Sequence, residues 1–148
     1  FIPMCIRKVN DGDPITIHSD STRTIPGSRF YIHAADVADA MQFLLELDDS
    51  KLEADYGDAK CPKFNLVGKQ EINNLQLAQI IADAQGKELK YEMMDFHSAR
   101  PGHDLRYALD GDYMRKLGWE PKVELTERIG EVVDWTLQND RWLRCEDE

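Results

Sequence analysis

The sequence has no glycine-rich phosphate-binding loop. Its 9 glycines form neither GxGxxG nor GxxxxGK[ST], the motifs whose backbone N–H groups bind the phosphates of dinucleotides and of ATP. Its one Tyr-x-x-x-Lys run, Tyr56 to Lys60, contains Gly57 and is followed by Pro62, and both residues disfavour the helical turn that a tyrosine–lysine pair needs. We therefore expect no nucleotide cofactor loop and no such catalytic pair here, with Tyr56 and Lys60 in an exposed, non-helical or helix-terminal segment.

Cysteine is scarce as well, and long apolar runs are lacking. The 3 cysteines form no CxxC pair, which argues against a disulfide framework or a zinc site and favours the reducing cytoplasm. No apolar run reaches the roughly 18 residues of a membrane-spanning helix, so we expect no membrane partner. The start, FIPMCIRK, has neither an initiator methionine nor a signal-peptide core, and we expect the chain to be a fragment.

Basic residues are outnumbered by acidic ones. There are 18 Lys and Arg against 28 Asp and Glu, which gives a net charge of −10. That charge repels a polyanion and argues against a nucleic-acid partner. With 148 residues, of which 42% are hydrophobic, the chain is long enough for one globular domain with its own core.

Strand and helix patterns alternate along the chain, which predicts an α/β fold. The predicted strands are 14–19, 29–34, 63–68 and 88–94, and 46–60 is predicted to be a surface linker or frayed helix end. Asp36 is predicted to cap a helix whose apolar face carries Val37, Ala40, Met41, Leu44 and Leu45.

Three further helices are predicted downstream. One is capped by Asn73 or Asn74, carries Leu77, Ala78, Ile81 and Ala84 on one face, and stops at Gly86. Asp110 is predicted to cap a short helix that ends before Gly118. The last helix spans about 125–139, with an apolar face formed by Leu125, Ile129, Val132, Val133 and Leu137.

A basic cluster interrupts the acidic composition. SARPGHDLRY, residues 98–107, holds Arg100, His103 and Arg106 around a Pro-Gly turn. Guanidinium groups bind phosphate oxygens in a bidentate manner, and a histidine adds a further hydrogen bond. Alternatively, the two arginines pair with nearby aspartates, namely Asp95, Asp104 or Asp110. We expect Arg106 and Asp104 to be structural even where Arg100 and His103 face a ligand.

Residues 99–140, ARPGHDLRYALDGDYMRKLGWEPKVELTERIGEVVDWTLQND, closely resemble the C-terminal part of dTDP-glucose 4,6-dehydratases. These are extended short-chain dehydrogenases/reductases of the NAD-dependent epimerase/dehydratase family. FIPMCIRKVNDGDPITIHSD, RFYIHAADVADAMQFLLE and FNLVG are similar to further segments of the family. The resemblance implies that residues 1–148 are a small C-terminal α/β substrate-binding domain with short strands and about four helices, without the Rossmann domain.

The resemblance also implies a site for a nucleotide diphosphate. Arg29 and Arg100 match the arginines that bind the pyrophosphate, and His103 lies in the same turn as Arg100. Asn65 matches an asparagine that contacts the nucleotide. The wall around the base and ribose is matched by Phe1, Thr16, Ile17 and His18.

In the family, NAD accepts a hydride from C4 of the sugar, water is eliminated across C5–C6, and the hydride returns to C6. The resemblance therefore implies a lyase, homodimeric when intact, whose N-terminal Rossmann domain binds NAD and carries the catalytic residues. This chain would bind the nucleotide sugar, hold no cofactor, and be inactive alone. Two alternatives remain: the same part of an epimerase or decarboxylase, and a non-catalytic sugar-nucleotide-binding module.

Overall fold

A computed structural model describes residues 1–52, 62–96 and 104–143, and in these ranges five α-helices surround two small β-sheets. The arrangement confirms the predicted α/β class with short strands, with one helix more than the four expected. No helix in these ranges combines the length and apolar character needed to cross a bilayer. The helices are α1 Ile2–Asp11, α2 Ala34–Glu46, α3 Asn74–Ala84, α4 Asp112–Leu117 and α5 Leu125–Gln138. The strands are β1 Ile15–Ser19, β2 Ser28–Arg29, β3 Ile72–Asn73, β4 Tyr91–Asp95 and β5 Arg106–Tyr107.

The first sheet pairs β1 with β4 in parallel, from Ile15 opposite Tyr91 to Ser19 opposite Asp95. Both strands were predicted, with slightly different ends. Because side chains alternate along a strand, Ile15, Ile17 and Ser19 point into the protein and are fully buried. Thr16 and His18 lie on the opposite face and are only partly buried.

The main core lies beneath β1, where α1, α3 and α5 pack together. Helix α1 was not predicted, although Ile2, Cys5, Ile6 and Val9 follow the i, i+3, i+4, i+7 spacing of an amphipathic helix. Burial raises the pKa of the Cys5 thiol to about 12, so this cysteine behaves as a small apolar residue. The core residues are Cys5, Ile6, Val9, Ile15, Ile17, Ile72, Leu77, Ala78, Ile81, Ala82, Ile129 and Val133.

The second sheet has the order β3–β2–β5. Strand β2 runs antiparallel to β3, with Arg29 opposite Ile72, and parallel to β5, with Arg29 opposite Tyr107. Each strand has only two residues. The sheet nevertheless brings Arg29 next to residues that lie more than 70 positions further along the chain.

Two strand predictions are wrong in extent. Only Ser28 and Arg29 of the segment around 29–34 form a strand, and residues 63–68 form none. Gly68 passes so close to the preceding segment that a Cβ there would lie 1.9 Å from the carbonyl oxygen of Tyr31. Composition favoured strands at both places, but a strand also requires a hydrogen-bonded neighbour.

Helix α2 begins earlier than predicted. His33 is its N-cap, and its Nδ1 accepts a hydrogen bond of 3.1 Å from the backbone N–H of Ala35. Asp36 lies in the first turn and is buried, with its carboxylate accepting hydrogen bonds of 2.8 and 3.4 Å from Arg128 of α5. The predicted cap is therefore a link between two helices, in which the Asp36 side chain is 7% exposed and the Arg128 side chain is 17% exposed.

The other helix boundaries follow the sequence closely. Asn73 caps α3 in a capping box with Gln76, and Gly86, with φ of 62°, follows the helix end as predicted. The N-cap of α4 is Gly111, but the Asp110 carboxylate accepts a hydrogen bond of 2.8 Å from the N–H of Asp112. Asp110, the residue before the N-cap, thus provides the side-chain hydrogen bond that an N-cap residue normally provides.

A second, smaller cluster lies between α2, α4 and residues 62–68. Among the described residues, the buried members of this cluster are Ala40, Met114 and Trp119. The Trp119 Nε1–H donates a hydrogen bond of 2.8 Å to the Asp39 carboxylate, which also accepts a hydrogen bond of 2.9 Å from Lys122. The residues packed around the cluster are Ile32, Phe43, Leu44, Phe64, Leu66 and Leu117.

The burial of Ile17 predicts a large effect on stability. Replacing it in Ile17→Ala should lower the free energy of unfolding by about 2–5 kcal/mol, because the truncation leaves a cavity in the core. Ile25→Ala is the matched control, since Ile25 is 60% exposed and should change the free energy by less than about 1 kcal/mol. Denaturant unfolding measures both variants, and equal effects would place Ile17 outside the core.

Candidate functional site

A cavity of about 590 Å³ opens between α1, the outward face of β1, and the second sheet. Ligand cavities commonly have volumes of about 300–1,000 Å³. Four of the residues singled out from the sequence line this cavity: Phe1, Thr16, His18 and Arg29. The remaining lining residues are Met4, Lys8, Gly27, Tyr31, Asn74, Phe96, Asp104 and Leu105.

Arg29 is held at the cavity wall by backbone oxygens. Its NH1 donates hydrogen bonds of 2.6 and 2.9 Å to the carbonyls of Ser28 and Leu105, and its NH2 lies 3.5 Å from the carbonyl of Asp104. The guanidinium carbon also lies 4.2 Å from the centre of the Tyr107 ring. These contacts fix its orientation without cancelling its charge, since none of them comes from a carboxylate.

Tyr31 and Asn74 form a polar pair at the same wall. The Tyr31 hydroxyl donates a hydrogen bond of 2.7 Å to the Asn74 side-chain oxygen, and burial raises the pKa of that hydroxyl. The backbone N–H of Asn74 donates a hydrogen bond of 2.8 Å to the carbonyl of Gly27. Neither side chain was predicted from the sequence to belong to a site, although Tyr31 lies two positions beyond Arg29.

Aromatic rings line the other part of the cavity. His18 and Phe96 meet edge to face, with ring centroids 5.8 Å apart. Phe1 is 40% exposed at the mouth. Phe96 follows β4, and the parallel pairing of β4 with β1 places it beside His18. The sequence could have indicated this, because parallel strands end at the same edge of a sheet.

The structure places two of the other predicted site residues, Ile17 and Asn65, away from this cavity. Ile17 is fully buried in the core and does not line the cavity, because its side chain points away from those of Thr16 and His18. Asn65 lines a separate cavity of about 340 Å³, and its Nδ2 donates 3.0 Å to the carbonyl of Asp110. Arg100 and His103 lie outside the described residues.

Arg106 differs from Arg29 in having a carboxylate partner. Its Nε and NH2 donate hydrogen bonds of 2.7 and 2.9 Å to the two carboxylate oxygens of Glu71. The Ser28 hydroxyl donates 2.5 Å to the same carboxylate. Arg106 thus joins neighbouring elements, as expected, but through Glu71 and not through the nearby aspartates. Hydrogen bonds from Arg106 and Ser28 lower the pKa of Glu71 to about 2.

The described cavity is suited to binding more than to chemistry. Its lining contains two cations, Arg29 and Lys8, one carboxylate, Asp104, and aromatic, amide and hydroxyl groups. The two cations and the aromatic rings suit an anionic ligand with a planar ring. Its lining offers no glycine-rich turn for a dinucleotide, so the residues present do not fit NAD. Across residues 1–52, 62–96 and 104–143, no three His, Cys, Asp or Glu side chains form a group that could hold a metal ion.

The comparisons with known proteins agree with the resemblance seen in the sequence. No family model matches the chain. The chain is 26% identical over 152 residues to dTDP-glucose 4,6-dehydratase from Xanthomonas campestris, a match that covers 97% of this chain and 39% of that enzyme. The predicted resemblance is confirmed, since dTDP-glucose 4,6-dehydratases match nearly the whole chain.

Solved structures give the same result for the fold. The dTDP-glucose 4,6-dehydratase from Streptomyces venezuelae, solved with NAD bound, is 25% identical, with a TM-score of 0.68 over 97% of this chain and 41% of that one. The UDP-glucose 4-epimerase from Thermus thermophilus, also solved with NAD, is 26% identical, with a TM-score of 0.66 over 90% of this chain and 38% of that one. The chain thus spans about two fifths of the length of these proteins.

The lowered pKa of Glu71 predicts a stability change in acid. Its pKa falls from the ordinary 4.5 to about 2 in the folded protein, so the unfolded state binds the proton more readily between these values. The contribution of the Glu71–Arg106 pair is therefore complete above about pH 4.5 and is lost as the pH falls towards 2. Thermal unfolding across this range should show a difference between wild type and Glu71→Gln that shrinks with falling pH.

The partner variant supplies the control for this effect. Arg106→Gln should remove the larger part of the same acid-dependent component, because the Ser28 hydroxyl still donates to Glu71, and the double variant should remove no more than Glu71→Gln alone. If Glu71→Gln and Arg106→Gln changed the pH profile additively, the two side chains would not act as a pair.

Proposed function

We propose that this chain is the nucleotide-sugar-binding part of an NAD-dependent 4,6-dehydratase that converts dTDP-glucose to dTDP-4-keto-6-deoxyglucose. Arg29 and Arg100 would bind the diphosphate, with His103 beside Arg100. Phe1, Thr16, His18 and Phe96 would surround the nucleoside. The observation that carries the proposal is the single cavity in which Phe1, Thr16, His18 and Arg29 meet.

The chemistry of the cavity supports this assignment. A charged arginine held by carbonyls is available to an anion, and its fixed orientation reduces the entropy lost on binding. An aromatic region a short distance away suits a planar base. Ile17 would act through the core and not by touching the ligand. Asn65 would act indirectly, by holding Asp110 at the start of α4.

In this proposal the chain supplies binding and orientation, and the rest of the protein supplies the chemistry. NAD would be bound by an N-terminal Rossmann domain, in agreement with the NAD complexes of the longer solved relatives. The intact enzyme would be a cytoplasmic homodimer. Hydride transfer would take place in that domain, because the described cavity lining contains no glycine-rich turn for a dinucleotide.

An epimerase is the second candidate, because the Thermus thermophilus UDP-glucose 4-epimerase is as similar to this chain as the dehydratase structure is. The product formed by the complete protein separates the two: a 4-keto-6-deoxy sugar from dTDP-glucose, or an epimerised sugar from UDP-glucose. A reading frame with no cofactor domain upstream would instead favour a non-catalytic sugar-nucleotide-binding module.

Arg29 gives the sharpest test of the diphosphate site. Arg29→Ala or Arg100→Ala should weaken dTDP binding by about 1.5–3 kcal/mol, or about 10- to 150-fold, because each removes hydrogen bonds to a charged group. Isothermal titration calorimetry with dTDP measures this, and Arg29→Lys tests whether charge alone is enough. Arg23→Ala is the matched control, since Arg23 lies on the exposed loop between β1 and β2. Equal effects of Arg29→Ala and Arg23→Ala would refute the proposed diphosphate contact.

Because the proposal places the cofactor and the catalytic residues in another domain, it predicts that the 148-residue chain has no activity alone. Incubation with dTDP-glucose and NAD should yield no 4-keto product, because the chain lacks a dinucleotide loop and its Tyr56-x-x-x-Lys60 run contains Gly57. Chromatography of the sugar nucleotide measures the outcome. Product formation that Tyr56→Phe abolishes would show that this run is catalytic.

A further inference from the structure

One carboxylate connects all three strands of the second sheet. Glu71 directly precedes β3, and its Oε1 and Oε2 accept hydrogen bonds of 2.7 and 2.9 Å from Nε and NH2 of Arg106 on β5. The same Oε1 accepts a hydrogen bond of 2.5 Å from the hydroxyl of Ser28 on β2, the middle strand. Glu71 itself does not line the cavity that holds Arg29.

The sheet carries this ion pair on one face and Arg29 on the other. Ser28 and Arg106 are register partners, and so are Arg29 and Tyr107. Successive side chains of a strand point to opposite faces. The first pair therefore shares the face of Glu71, and the second pair lies on the opposite face, where Arg29 lines the cavity. An effect of Glu71 on a ligand at Arg29 must pass through the strands.

The position of Arg29 depends on the position of β5 through one carbonyl group. The Leu105 carbonyl, directly before β5, accepts hydrogen bonds of 3.0 Å from the backbone N–H of Ser28 and 2.9 Å from NH1 of Arg29. Two paired residues per strand supply few backbone hydrogen bonds to keep β5 beside β2. The charge-assisted, bidentate bonds between Arg106 and Glu71 are stronger than neutral ones. Their loss would let β5 move and would release NH1 of Arg29.

We propose that Glu71 is a positioning residue for the diphosphate site, which acts through Ser28 and Arg106 to hold β5 against β2 and so keeps Arg29 oriented towards the ligand. This rests on the proposed function, in which Arg29 binds the diphosphate. A guanidinium group that is already ordered loses less entropy on binding than a mobile one. The ion pair thus raises the affinity for the diphosphate without a contact to it.

The charge of Glu71 gives this proposal a distinctive sign. Glu71→Gln removes a negative charge that contacts the residue before Arg29, and it leaves Arg106 without its carboxylate partner. Electrostatics alone would therefore strengthen the binding of an anion. Loss of orientation weakens it instead. We expect dTDP binding that is weaker by about 2- to 12-fold, the cost of ordering one long side chain on binding.

Isothermal titration calorimetry with dTDP, on the protein from the complete reading frame, measures this effect at a temperature where circular dichroism shows each variant folded. Ser28→Ala keeps the ion pair and should weaken binding less than Glu71→Gln does. Glu124→Gln is the matched control, since Glu124 also pairs with a cation of another segment, Lys69, and does not line the cavity. In an Arg29→Ala background, Glu71→Gln should change the affinity by less than about 2-fold, because both substitutions remove one contact to the ligand.

Nuclear magnetic resonance provides a readout that needs no ligand. The ¹⁵N relaxation of the Arg29 Nε–H group should report greater mobility in Glu71→Gln and no change in Glu124→Gln. Greater mobility in a protein that does not bind dTDP would refute the proposed function and keep the positioning role. Binding of dTDP that Glu71→Gln leaves unchanged or strengthens, or effects that add to those of Arg29→Ala, would refute the positioning role and keep the function.

Discussion

The difference between two arginines on adjacent strands governs the candidate site. Arg106 is neutralised by Glu71, which holds it through both carboxylate oxygens. Arg29, one strand away, is held by the carbonyls of Ser28 and Leu105 and by the ring of Tyr107. A carbonyl orients a guanidinium group but carries no net charge, so Arg29 keeps its attraction for an anion while its position is fixed.

This arrangement requires the second sheet, small as it is. A strand of two residues contributes little by itself, and here hydrogen bonds from side chains and from the backbone outside the strands hold the sheet together. The Glu71 carboxylate accepts from Ser28 on β2 and from Arg106 on β5, and so ties the middle strand to one neighbour. Asn74 holds Gly27 from the side of α3. The orientation of Arg29 thus depends on contacts between residues far apart in the sequence.

That dependence explains which features could be predicted from the sequence. Helix α3 and its Asn73 cap follow from local signals, since the capping box and the apolar spacing lie within a few residues. The position of Arg29 at a cavity followed from the resemblance. The pairing of Asp36 with Arg128 across 92 positions has no local signal, and a capping role was the natural reading of an aspartate before an apolar run.

The outcomes for Ile17 and Asn65 have physical reasons of the same kind. Thr16, Ile17 and His18 were treated as one wall, yet the period of two in a strand sends the middle side chain to the opposite face. That rule was available from the sequence. For Asn65, the side chain turns towards Asp110 because that carbonyl lies within 3.0 Å, a contact between segments 45 positions apart. Only the fold decides between this partner and a ligand.

The uneven burial of the two clusters bears on how the parts of the molecule are stabilised. The main core fully buries several large aliphatic side chains, whereas the described part of the second cluster buries Ala40, Met114 and Trp119. Full burial of an exposed methionine or leucine is worth about 1.5–3 kcal/mol. Met41 is 61% exposed and Leu45 is 87% exposed on α2, so most of that contribution is missing from the side of the domain that holds the second cluster.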